Sequence, residues 1–133
     1  MSMQNAESKK KRGQAMVEFA LVLPIFLLLL TGILEFGLFF NSYIDISFSS
    51  REGARIAALD TNSTTATITS SVKATLPSST AVEVTVTPSP PRVTGSPVAV
   101  TVSTQHSFIT PLIASMFPSN PYTITSTTSM RSE

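Results

Sequence analysis

The chain reads as an α+β protein: a long apolar N-terminal helix, partly membrane-crossing, packed on a small antiparallel sheet. Three observations carry this reading. First, sixteen uncharged residues, FALVLPIFLLLLTGIL, lie between Glu18 and Glu35. Second, the stretch that follows, through Leu59, is amphipathic and rich in helix formers near its end. Third, AVEVTVT, VAVTVS and YTITSTTSM alternate apolar and polar residues with the period of a strand.

The apolar element comes first. Its uncharged part makes about 24 Å of helix at 1.5 Å per residue, a little short of a hydrocarbon core of about 30 Å. Extended to residues 14–40, it is long enough to span, and Glu18 and Glu35 then sit near the membrane edges. A carboxylate in a spanning segment still asks for a reason. Pro24 removes one backbone hydrogen bond, and either bends the helix or is tolerated because neighbouring helices compensate. Gly32 and Gly37 are five apart, which does not match the G-x-x-x-G contact face.

Charge is placed unevenly. Of nine Lys and Arg, four are Lys9, Lys10, Lys11 and Arg12, against a formal net charge of +1. Basic residues directly before an apolar segment mark the side that stays in the cytoplasm, so they read as topogenic and not as a nucleic-acid tail. The C-terminal part then faces away from the cytoplasm. The chain has no cysteine, which excludes disulfides and thiolate chemistry.

A cleaved secretory signal needs a small-residue exit site, and EFGLFFNSYIDIS after the apolar core is too bulky for one. An uncleaved signal anchor explains the span but not the spacing of Gly13 and Glu18. A prepilin-type leader explains both. Residues 1–13 would be removed on the cytoplasmic side after Gly13, whose missing side chain lets a protease approach its carbonyl. The new ammonium at Gln14 would then be neutralised by Glu18, which is followed by Phe19, on the same or a neighbouring subunit. A paired charge is tolerated in apolar surroundings where a lone one is not.

Residues 12–59, RGQAMVEFALVLP through ILEFG to SREGARIAAL, resemble the TadE-like domain of tight-adherence (Tad/Flp, type IVb) pilus systems, and the closing TSMRSE is similar to the usual end of these proteins. The resemblance implies a pseudopilin or minor pilin with the pilin plan of a helical stalk and an α+β head. It implies processing by a prepilin peptidase, and partnership with other Tad pilins and an inner-membrane assembly platform. It does not choose among TadE, TadF and TadG-type subunits. Residues 60–120 carry no motif of the family.

The rest follows in order. Residues 41–60 continue the helix as an amphipathic stretch; Glu35 before it, and Arg51, Glu52 and Arg55 within it, are possible interface residues. Glu52 and Arg55 are spaced to pair on one face. Gly53 costs that helix about 1 kcal/mol relative to alanine, and close packing on the sheet is a reason to keep it. Residues 61–133 form the extracytoplasmic head. Ile68, Val72 and Leu76 predict one short extra helix over 65–76, ended by Pro77. Strands follow over 81–87, 98–103 and 122–130, joined by the PSPPRVTGSP loop and the apolar FITPLIASMFPSNP excursion, which is either core or a partner-binding edge. The lone histidine, His106, has no acid or serine pattern of a triad. The eight acidic residues show no metal-ligand spacing. Asn62-Ser63-Thr64 matches an N-glycosylation pattern that is common by chance. The expectation is therefore no enzyme, no cofactor, no nucleic acid and no small-molecule substrate, with the lipid bilayer as a partner. The rival is an uncleaved, signal-anchored envelope binding module or adhesin.

Overall fold

A computed structural model describes the backbone of residues 2–133 and the side chains of residues 11–133. Helix α1 runs from Ser2 to Leu59, 58 residues. It begins before Gln14, the start expected from the sequence, because SMQNAESKKKR is mostly good helix formers, and one glycine at position 13 is too weak a breaker to stop the turn. The helix also continues through Pro24.

The chain divides into two compact units, one ending at Phe36 and one comprising Gly37–Glu133. In the first, Met16, Phe19, Leu21, Ile25 and Leu29 are all at least 60% exposed. An apolar helix with no protein around it suits a solvent other than water. Part of α1 is long and apolar enough to cross a membrane, which is compatible with single-pass anchoring.

The second unit is built on a three-stranded sheet in the order β1-β2-β3. Strand β1 is Val82–Thr87, β2 is Pro97–His106 and β3 is Tyr122–Arg131. Both pairings are antiparallel, with Val84 opposite Val102 and Val102 opposite Ser126. The alternation sorts the faces. Val98, Val100 and Val102 are fully buried, while Glu83, Thr85, Thr125 and Thr127 are exposed on the other side. Strand β2 is longer than VAVTVS because it pairs along its whole length with β3.

The C-terminal part of α1 covers the apolar face. Ile46, Ser49, Ser50, Gly53, Ala54, Ala57 and Ala58 are its buried residues. They recur at helical spacing, and all except Ile46 are small, which brings the helix axis close to the sheet. A Cβ added at Gly53 would lie 2.9 Å from Val72 Cγ2 and 3.1 Å from Val100 Cγ1. Gly53 is therefore the point where α1, β2 and the second helix meet.

That second helix, α2, spans Thr65–Ala74 and buries Ile68 and Val72. It starts at Thr64, whose hydroxyl accepts from the Thr67 amide at 3.2 Å. It stops two residues before the expected end, with Thr75 as its C-cap. A third, four-residue helix, α3 at Pro111–Ala114, is an addition to the one extra helix expected. Pro111 supplies a ready-made first-turn φ there, and the burial of Ile113 holds the turn in place.

Candidate functional site

The residues around the expected cleavage point lie on one exposed helical stretch. Lys11, Arg12, Gly13 and Gln14 are exposed, and among the described residues nothing beyond the local helix lies within 4 Å of where a Gly13 side chain would start. The side chains of Lys9 and Lys10 fall outside the described residues. Glu18 sits one turn beyond Gln14, and the Gln14 side-chain amide donates to Glu18 Oε1 at 3.4 Å. The Glu18 carboxylate is thus directed back along the helix toward residue 14, as helical side chains tilt toward the N-terminus. Phe19 is 65% exposed. Glu35, by contrast, is buried.

A second group lies on α1 in the C-terminal unit. Arg55 donates to Glu52 through Nε at 3.0 Å and Nη2 at 2.6 Å, a bidentate pair. The Arg55 hydrogen bonds hold the Glu52 carboxyl below the usual carboxylate range, and the same contact raises the Arg55 guanidinium. Arg51 is exposed. The pair faces solvent, so it shapes a surface more than it holds the fold.

Two features escaped sequence reasoning. Arg92, a single cation in the proline-rich loop, is 5% exposed. It donates to Ala57 O at 3.4 Å, Asp60 O at 3.2 Å, Ser63 Oγ at 3.1 Å and Ser63 O at 3.0 Å. It therefore satisfies carbonyls at the C-terminal end of α1, where a cation is favoured. Its only signal in the sequence is a charge standing alone among prolines. The second is the buried Ser50 hydroxyl, 3.1 Å from Ser126 Oγ and 2.8 Å from Thr128 Oγ1. The serines of SFSSREGA on the helix stripe hinted at it; their partners on β3 did not show.

His106 is half-buried and meets aromatic rings: its centroid is 5.6 Å from Phe39 and 5.1 Å from Phe108, both edge-on. Ser42 Oγ is 3.5 Å from its Nδ1. A cleft of about 680 Å³ lies nearby, lined in part by Ser42, Asp45, Glu83 and Thr104. Among the described residues no three His, Cys, Asp or Glu side chains gather to hold a metal ion.

The fold and these surfaces define a class: an α+β protein whose long apolar helix is of membrane-crossing length and continues into a small three-stranded unit. The family comparison is more specific. Residues 13–55 match the model of the TadE-like protein family, so the chain carries a TadE-like segment that opens at Gly13 and closes at Arg55. This family is a structural, non-enzymatic kind of protein, and it suggests a pseudopilin associated with Tad pili that interacts with other pilus components. No curated protein and no solved structure matches the chain.

Proposed function

We propose that the protein is a TadE-like pseudopilin, a minor pilin that acts as a structural component of a Tad pilus or related secretion assembly and performs no catalysis. Lys9, Lys10, Lys11 and Arg12 hold the leader in the cytoplasm. Residues 14–40 store the subunit in the membrane, and the C-terminal unit faces outward. A prepilin peptidase cuts after Gly13. Other pilins and the inner-membrane platform then receive the subunit through helix-to-helix packing.

The observation that carries this reading is the Gln14–Glu18 relationship within a family match that begins at Gly13. After cleavage the residue that gains an ammonium is Gln14, and the carboxylate already directed at its side chain becomes the counter-charge. The first four backbone N–H groups of the shortened helix also lack intrahelical acceptors, which adds to the local need for negative charge. Gly13 is exposed and carries no side chain, which leaves room for a peptidase to approach; its carbonyl, bonded within the helix, is freed when the turn opens locally. The exposed apolar surface from Met16 to Leu30 supplies a packing face for neighbouring helices once lipid is exchanged for protein.

The test is the intact mass of membrane-extracted protein from cells with and without the prepilin peptidase. The expected result is loss of residues 1–13 only when the peptidase is present. A full-length mass in both strains would overturn the leader and favour the uncleaved, anchored binding module.

A further inference from the structure

The segment between β2 and β3, residues 107–121, is built with apolar residues on both its inner and outer sides. Inside, Phe108 and Ile113 are 4% and 5% exposed. The rings of Phe108 and Phe117 stack with centroids 4.3 Å apart. Phe39 of α1 joins them at 5.8 Å and 6.0 Å and also meets Tyr122 at 6.1 Å. Asn120 closes the base, accepting from Phe108 N at 3.0 Å and donating to Phe108 O at 3.1 Å. The segment is therefore a fixed platform. Outside, it presents Ile109, Leu112 and Met116, which are 82%, 54% and 74% exposed. A fold that needed this segment for its core alone would have no use for three large apolar side chains on the wet side.

Three further facts point to what covers them. No Asp, Glu, Lys or Arg occurs between Arg92 and Arg131, so the segment brings no charge with it. Phe39, to which it is packed, lies at the end of the apolar residues 14–40, and its helix neighbours Leu38 and Phe40 are themselves exposed. The chain has two tyrosines, and both line one groove with Phe39 and Phe40. Tyrosines gathered where the apolar part of a helix gives way to its amphipathic part are the arrangement of a membrane–water interface, with rings at headgroup level.

We propose that residues 107–121 seat the C-terminal unit on the bilayer surface at the C-terminal end of the span, with Ile109, Leu112 and Met116 inserted among the lipids. The inference rests on the reading that residues 14–40 cross a membrane. Phe39 and its ring partners fix the depth, and the lack of charge lets the tips enter without the cost of desolvating an ion. Before assembly, this contact would hold the unit against the membrane. Extraction into a filament would have to break it.

The absence of cysteine makes the test clean. Met116→Cys, Leu27→Cys and Ser89→Cys are introduced singly in the full chain. Each is labelled with an environment-sensitive fluorophore and studied at high dilution in phosphatidylcholine–phosphatidylglycerol vesicles. Ser89 lies in the β1–β2 connection, at the other end of the strands from residues 107–121, and reports water. Leu27 reports the span. The expected result is a blue shift at position 116 with quenching by a shallow lipid-borne quencher, deeper quenching at 27, and neither effect at 89. Quenching at 27 with position 116 behaving like 89 overturns the proposal and leaves the span intact. No quenching at either 27 or 116 overturns the spanning reading and the proposal with it. A blue shift at 116 that no lipid quencher reaches and that grows with protein density assigns the patch to a second copy of the chain, and overturns lipid seating.

Discussion

Arg92 and Ser63 are joined twice: Nη1 donates to Ser63 Oγ at 3.1 Å and Nη2 donates to Ser63 O at 3.0 Å. The same guanidinium reaches Ala57 O and Asp60 O, so one side chain ties the proline-rich loop to the turn that follows α1. The charge is buried, and its oxygen partners are carbonyls and a hydroxyl. Replacing it with an uncharged chain of similar length leaves several buried acceptors without donors. Arg92→Met is expected to lower the stability of the C-terminal unit by about 2–4 kcal/mol. Thermal unfolding of detergent-solubilised protein checks this, and a loss below about 0.5 kcal/mol, ordinary for a surface substitution, would show that the bonds do not hold the turn.

Gly53 offers a test in which two rules oppose each other. Alanine is favoured over glycine within a helix by about 1 kcal/mol. Here the new methyl would press on Val72 and Val100 at 2.9 Å and 3.1 Å, and overpacking costs about 1–3 kcal/mol. Val72 is fully buried and β-branched, so it has little freedom to turn away. Packing wins: Gly53→Ala is expected to destabilise by about 1 kcal/mol net, measured by urea denaturation. The double variant Gly53→Ala with Val72→Ala should show a favourable coupling between the two changes.

The Glu52–Arg55 pair predicts a pH dependence of known sign. Arg55 lowers the folded-state pKa of Glu52. The contribution is therefore complete above the unfolded carboxyl value, about 4.3, and is lost as pH falls through the folded value below it. From pH 8 down to about 5 the melting-temperature gap between the wild type and Glu52→Gln should stay constant, then close on further acidification. Because both side chains face solvent, the gap is small and shrinks with added salt. A gap that widens on acidification would contradict the pairing.

Under the proposed function, processing and assembly would separate at Gly13 and Glu18, five residues apart. Gly13→Leu is expected to block removal of residues 1–13 while membrane insertion persists, read by intact mass and by membrane fractionation. Glu18→Ala is expected to be cut normally but to crosslink poorly to partner pilins. Normal incorporation of the alanine variant would refute the neutralising role of the carboxylate, and Glu18→Asp tests how much reach it needs.

Much of the architecture was legible in the residues. Sixteen uncharged residues between two glutamates can hardly be anything but a helix in apolar surroundings. The period-two valines fixed both the strands and the faces they bury, because a register slip of one residue would turn Val98, Val100 and Val102 to solvent. The spacing of Gly13 and Glu18 pointed to the N-terminal stretch for the same reason: local geometry on a helix follows from counting.

What counting does not reach is decided by tertiary contact. Nothing near Arg92 in the chain says that it will be buried at the end of α1, because its partners lie some thirty residues earlier and meet it only after the helix has packed. The two-sided character of residues 107–121 depends in the same way on Phe39, supplied by a helix far away in sequence. Composition and periodicity set which segments are helix or strand and which faces are apolar, since those are nearest-neighbour properties. Which polar groups find one another, and which apolar tips are left uncovered, is settled when the sheet and helix close.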